Sequence, residues 1–492
     1  MVRGAGTAEV AKISCEYYSM GVKTLNGKQH GTVHRTIEML ATALSQLDIV
    51  MEPARIEKIA VMVHRGMSQQ QRSFHNPEHI FDLADPEDPH TTLAALFHDL
   101  VYHQVDQGFH PEIEAILQPY LMVEPGGVVS IAQQIPADAR GFHGCAAVFG
   151  FQPGQQLSPF GGLNEFLSAL VMALLFEGII ADVDMLVTVA CIEATIPFRG
   201  EDAEGRSPAQ QLYQRLIRTS RQFSLNVDEN DVTWAVTRAI TFANRDVRNF
   251  SEEEVGRFLE NTWKLLPETN PELRVAGVYS IRSYRLAVQK MRLFLKNLPP
   301  SRVFQTFQGV PPEKEYIALV QRTDRNLIAA CQYLGVKFLT AVILEALADL
   351  SGGDAPIALF MGEIAPAGTQ QEALQQICDF LPEDGSAPDT PPDEGVVHGL
   401  LENGRSGAAG FDLQNAPLSL YVYRNVGAEQ LPEVLELADA LTREKPELSP
   451  REFLSQLPES VAAPIARAAA QMVVTRRDAL EALASELEAT RG

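Results

Sequence analysis

The chain has 492 residues, 46% hydrophobic and 21% charged, which is length for roughly two to four domains and a substantial core. A net charge of -23 excludes a general surface for DNA or RNA polymers, which relies on clustered Lys and Arg, but leaves room for a small anionic substrate beside a metal. No basic-then-apolar leader opens the sequence and the run 166–176 is too short to span a membrane; Cys15, Cys145, Cys191, Cys331 and Cys378, with no CxxC pair, fit free thiols in a reducing cytoplasm.

Residues 8–70 are predicted to be helical, because Ile37, Leu40, Leu44 and Leu47, then Ile56, Ile59, Ala60 and Val63, recur at helical spacing. His30 and His34 stand four apart but have no third ligand and are assigned to the surface; His64 reads as a satisfied core or surface histidine. Seven of the eleven histidines (His64, His75, His79, His90, His98, His103 and His110) then fall within fewer than fifty residues, more than a packed core asks for. Asn76-Pro77 is a helix start, an N-cap followed by proline at the first helical position, and predicts a helix over 77–83 with His79 in its first turn and His75 just outside. The interval Asp85 to Pro89 breaks it. A second helix is predicted from His90 or Thr91 to about His103, with Leu93, Ala94, Phe97, Leu100 and Val101 as its buried stripe and His98-Asp99 at the edge. A buried carboxylate beside an imidazole is costly without a partner, and a divalent cation (zinc, iron, manganese or magnesium) is a strong one.

The segments FHNPEH and LFHDLVY resemble the HD superfamily of metal-dependent phosphohydrolases. The first is similar to the YHN-plus-histidine motif of class I cyclic nucleotide phosphodiesterases, with Phe74 in place of the tyrosine; the second is similar to small bacterial HD hydrolases. The resemblance implies an all-α helical-bundle catalytic domain with metal ligands in the order His, His-Asp, Asp, of which the first three map to His79, His98 and Asp99. It also implies that His75 is the general acid for the leaving oxygen. The fourth ligand must come from later in the chain, and Asp246 is the best candidate, since it continues the face made by Val232, Val236, Ala239 and Ala243. Asp182 and Asp184 are the runners-up.

His103, Asp106 and Glu114 are candidates for groups around the ligands, with Asp106 or Glu114 placed to hold a metal-bound water. The glycine- and proline-containing interval 124–162 reads as a long irregular connection containing His143, either a lid or a surface excursion. Helical pattern resumes over 166–195, where CIEATIPFRG resembles the segment before the last HD ligand but has Pro197-Phe198 in place of a histidine; Glu193 is either a substitute ligand or a helix-end residue. Two helices follow over 207–244. Ser251 with Glu254 forms a capping-box pattern, and Arg282, Arg285, Lys290 and Arg292 mark the amphipathic stretch before Pro299-Pro300.

The domain expectation is an HD-type catalytic domain over 1–300, a helical extension over 301–380 that completes it or forms a dimer surface, a Pro- and acid-rich linker over 381–400, and a mainly helical region over 401–492. Leu418 to Tyr423 (LSLYVY) is the one strand-like run. These readings lead to hydrolysis of a nucleotide or other small phosphorylated molecule with a divalent cation, with homo-oligomers compatible and no membrane or nucleic-acid polymer as partner. Two alternatives are a di-iron oxygenase on the same fold, with His103 or His110 as extra ligands, and a metal-stabilised scaffold that binds a protein partner.

Overall fold

A computed structural model describes residues 31–364, 374–382, 395–407 and 410–489. The chain is all-α, 66% helical with almost no strand. His30, Cys15 and most of the expected linker (383–394) lie outside the described residues. The fold has two compact units, one within Met1–Arg248 and Pro299–Val320, the other within Asn249–Leu298 and Gln321–Gly492. The division therefore differs from the expected boundary at 300: residues 249–298 belong with the C-terminal part, and 299–320 with the first.

In the first unit, α1 (Thr32–Gln46) and α2 (Pro53–Met67) pair through the expected stripes, with Leu40, Leu44, Ile59, Ala60 and Val63 buried. The next helix, α3 (Pro77–Leu83), has the expected bounds. Asn76 Oδ1 accepts from the amides of Glu78 and His79 at 3.0 and 3.4 Å, satisfying orphan donors of the first turn. Asp88 caps α4 (Pro89–Phe97) in the same way, and every residue of α4 from His90 to Phe97 is buried. This helix is shorter than expected. It stops at Phe97 because the backbone beyond finds tertiary partners: Arg72 takes the carbonyls of Asp99 and Leu100, and Ser168 Oγ accepts from the amide of Val101. His98-Asp99 consequently lies in a turn rather than on a helix edge.

After α5 (His103–Asp106) and α6 (Pro111–Leu117), the interval expected to be irregular contains a hairpin and a helix. Strands β1 (Leu121–Val123) and β2 (Val129–Ile131) pair antiparallel with Leu121 opposite Ile131, turning through Gly126 and Gly127 at φ +106° and +81°. Helix α7 (Arg140–Phe149) buries Phe142, Cys145, Val148 and Phe149 and ends at Gly150, whose φ of +75° is the left-handed conformation of a helix stop. The glycines and prolines suggested a loop, whereas they punctuate short elements. Helices α8 (Leu163–Leu175), α9 (Asp182–Ala194), α10 (Pro208–Gln222) and α11 (Glu229–Asp246) complete the unit. Helix α9 is buried from Met185 to Ala194 and packs between α4 and α11. This apolar contact supports α11, whose last residue is Asp246. Phe166 of α8 has no exposed surface and stacks edge-on against Phe149 and Phe151; Phe166→Ala would cost about 3–5 kcal/mol.

The second unit is built on residues 321–351 of the 39-residue helix Glu313–Ser351, whose residues 333–348 are all buried. It is the one helix among the described residues long and apolar enough to cross a membrane, but 83% of that window is buried, as in a core helix. The expected capping box at Ser251 is absent: Ser251 closes a 3₁₀ turn and the helix Val255–Thr269 starts without a side-chain cap. The strand-like run is also helical, over Pro417–Val426, because Pro417 sets the first turn and Leu418, Val422 and Val426 recur four apart on a buried face. Packing overrides the β propensity of Tyr and Val. Arg282 and Arg285 pair with Glu345, and Arg292 with Asp439, so these cations serve the unit's own acids. At its centre Asp412 Oδ2 accepts from Lys337 Nζ, Trp263 Nε1 and Tyr284 Oη at 2.9–3.1 Å.

Candidate functional site

Three side chains in the first unit form one close group, His79, His98 and Asp99, and a fourth, Asp246, reaches its two imidazoles. His79 stands in the first turn of α3, His98 and Asp99 in the turn after α4, and Asp246 at the end of α11. His79 Nε2 is 3.1 Å from Asp246 Oδ1 and 3.6 Å from Asp99 Oδ2. His98 Nε2 is 2.9 Å from Asp99 Oδ2, 3.7 Å from Asp246 Oδ1 and 3.3 Å from His79 Nε2. His75 Nε2 lies 4.0 Å from Asp99 Oδ2, with its ring edge-on to Phe74 and Tyr102.

The spacings of 2.9, 3.1 and 3.3 Å match the edges of a coordination polyhedron, and those of 3.6 and 3.7 Å are longer. Atoms bound at about 2.1 Å to one cation stand roughly 3.0 Å apart at right angles and 3.4 Å at tetrahedral angles. The tautomer agrees. His98 Nδ1 is 3.0 Å from the carbonyl of Ala95, which can only accept, so Nδ1 carries the proton and Nε2 turns its lone pair to the cluster in the neutral ring. Two imidazole nitrogens 3.3 Å apart amid two carboxylates need a positive charge between them, a proton or a metal.

Without a metal, protons fill that need. Burial is the largest influence on His98 and opposes its charging, yet Asp99 and Asp246 together hold its pKa well above the usual imidazole value. Burial likewise pushes Asp99 up, but His98, His75 and His79 keep it well below the usual carboxylate range. Asp246 is held at about 2, its burial outweighed by hydrogen bonds from His79 and His98. A divalent cation would replace those protons; His79, His98 and Asp99 are the close group that could hold it, and Asp246 stands against the two imidazoles.

The other expected residues do not reach the cluster. Both oxygens of Asp106 accept from Arg72, Oδ1 from Nε at 2.9 Å and Oδ2 from Nη2 at 2.5 Å, so Asp106 positions Arg72 rather than a water. Glu114 is exposed on α6, and the His103 ring lies against Phe109. His110 accepts from the amide of Glu112 as a helix cap. Glu193 is neither ligand nor simple helix end: it is buried, paired with Arg199 at 2.6 Å and with Arg215. Asp184 bonds His90 at 3.0 Å and Asp182 pairs with Arg140. His64 bonds Thr32 Oγ1 at 2.8 Å, His34 is exposed, and His143 bonds the carbonyl of Pro136. A cleft of about 430 Å³ lined by Gln152, Arg206, Arg215 and Arg218 shares no residue with the cluster.

Two residues escaped the sequence reading. Arg72 is buried and, besides Asp106, donates Nη1 to the carbonyl of Asp99 at 2.6 Å and Nη2 to that of Leu100 at 3.2 Å, fixing the turn that aims Asp99. Glu165 stands in the first turn of α8. Its Oε2 is sealed from solvent with no hydrogen-bond partner, ordinarily a cost of about 1–3 kcal/mol or more. Burial, with Asp99 and Asp246 adding to it, pushes its carboxyl up to about 7 against the pull of its own backbone hydrogen bond and of Arg199. The only sequence signal was an acid opening an apolar helix. No protein-family model, curated protein or solved structure matches this chain.

Proposed function

We propose that this chain is a divalent-cation-dependent hydrolase of a phosphoester, acting on a nucleotide or another small phosphorylated molecule. The observation that carries the reading is the close grouping of His79, His98 and Asp99, with Asp246, 167 residues from His79, against both imidazoles. The likeness of FHNPEH and LFHDLVY to the HD phosphohydrolases supports the choice of reaction.

A cation bound there polarises the phosphoryl oxygens and makes water a better nucleophile. The chain's own groups do the rest. Asp99 and Asp246 balance the cation's charge, and the two imidazoles fix its place without adding more. Water forms the new bond to phosphorus as the bond to the leaving oxygen breaks. His75, at the rim of the cluster, gives that oxygen its proton, a task for which an imidazole, titrating near neutrality, is suited. The rings of Phe74 and Tyr102 hold His75 edge-on. The oxygenase alternative asks His103 or His110 for ligands, and no contact brings either to the cluster.

The test is elemental analysis of the purified protein, then a nucleotide and phosphoester screen with added Mn²⁺. Turnover is expected from the metal-loaded protein, with Asp99→Ala losing both metal and activity. Undiminished turnover by metal-free Asp99→Ala, or none by metal-loaded wild type across the screen, would overturn the proposal.

A further inference from the structure

An arginine whose nitrogens all meet protein acceptors is structural, whereas one with terminal nitrogens left over is open to an anionic ligand. The cleft between the end of α7 and the face of α10 is lined by both kinds. Arg206 is fully used: Nε donates to Asp202 at 2.8 Å, Nη1 to Gln214 at 2.9 Å and Nη2 to Glu204 at 2.7 Å. Arg215, only 15% exposed, donates Nε to the carbonyl of Val148 at 2.6 Å and Nη2 to Glu193, while its Nη1 has no partner among the described residues. Arg218, three residues on and so on the same face of α10, is anchored through Nε on the carbonyl of Gln214 at 3.2 Å, and neither Nη has a partner among the described residues. Glu193 is shared by Arg199 and Arg215, so one of those two charges is unbalanced, and Arg218 adds a second. Like charges on neighbouring positions of a helix repel, and two unneutralised cations run against the balance of a chain of net charge -23.

We infer that this cleft is a second ligand site, which takes the phosphate of a small phosphorylated molecule between Arg215 and Arg218. Two unbalanced guanidiniums match a dianion. With its Nε occupied, Arg218 presents the edge that carries both Nη atoms, the edge that pairs bidentately with two phosphate oxygens, and Arg215 Nη1 supplies a further donor. Both arginines are held through Nε, so little of their freedom is lost when the ligand arrives. Apart from Ala147, Phe149 and Gly150, every residue lining the cleft is polar, and about 430 Å³ is more than phosphate alone fills, so the rest of the ligand is hydrophilic and of the size of a sugar phosphate. Gly150, at φ +75°, keeps the wall open: a Cβ there would stand 3.1 Å from Arg215 Cδ. The site is independent of the cation cluster and of any hydrolysis there, since the two share no residue.

The experiment is calorimetric titration of the chelator-stripped full chain with ribose 5-phosphate, at low and at high salt. Wild type should bind, more weakly as salt rises, and Asp99→Ala should bind equally well because the cluster takes no part. Arg218→Gln alters an exposed side chain, so it should keep the wild-type melting temperature without ligand yet bind about 10–100-fold more weakly. Arg218→Lys, which keeps the charge but loses the fork, should fall between the two, and it decides the matter if Arg218→Gln does not fold. No binding by wild type, wild-type affinity in the Arg218 variants, or a loss of binding in Asp99→Ala would overturn the inference. Malonate bound as tightly as the phosphate ester would overturn it too, by making the cleft a carboxylate site.

Discussion

Removing the guanidinium of Arg72 should loosen the turn that carries His98 and Asp99. The Arg72 side chain is fully buried and Asp106 only 14% exposed. Arg72→Met keeps much of the bulk but leaves the Asp106 carboxylate and the carbonyls of Asp99 and Leu100 without their donor. Breaking one side of a buried pair costs about 3–5 kcal/mol, and at ~2–4 °C per kcal/mol for a domain of this size the unit's melting temperature should fall by roughly 6–20 °C. Calorimetry of the stripped protein measures this. The double variant Arg72→Met, Asp106→Leu should recover part of the loss, since it no longer buries an unpaired charge, though the two carbonyls stay orphaned. Arg72→Met within about 1 kcal/mol of wild type, or a double variant showing simple additivity, would refute the clamp.

Two further outcomes concern buried acids outside the cluster. Glu193→Gln should destabilise by about 3–5 kcal/mol, because Arg199 and Arg215 lose a buried counter-charge, yet leave Mn²⁺ affinity unchanged; a fall in affinity at intact stability would make Glu193 part of the site after all. The Glu165 carboxyl, raised from its ordinary 4.5 to about 7, keeps in the folded chain a proton that the unfolded chain releases, so its contribution to stability declines as pH climbs from 4.5 through 7. In chelator, Glu165→Gln should therefore match wild type near pH 4 and exceed it by about 3 kcal/mol at pH 8; parallel stability curves from urea melts would contradict this.

What could be read from sequence was what local chemistry decides. Asn76-Pro77 specified α3 because an N-cap and a proline act within one turn, and the stripe through Val232, Val236, Ala239 and Ala243 led to Asp246 because a helical face continues in register. The length of α4 was misjudged because its stop depends on Arg72 and Ser168, which are distant in sequence. Asp106 and Glu193 were illegible for a related reason: a carboxylate's role depends on whether an arginine reaches it first. Glu165 carried no motif at all, and only its sealed, unpartnered oxygen marks it.

The interleaving of the two units bears on how the protein can be cut. The first unit closes with 299–320, which is synthesised after 249–298 of the second, and Gln305 within it exchanges two hydrogen bonds with Asn244, two residues before Asp246. A fragment stopped at 298 would leave the end of α11 without that anchor. Any shortened version meant to isolate the cluster has to carry 299–320 across a bridged gap, which makes a circularly permuted or loop-replaced chain a sounder reagent than a simple truncation.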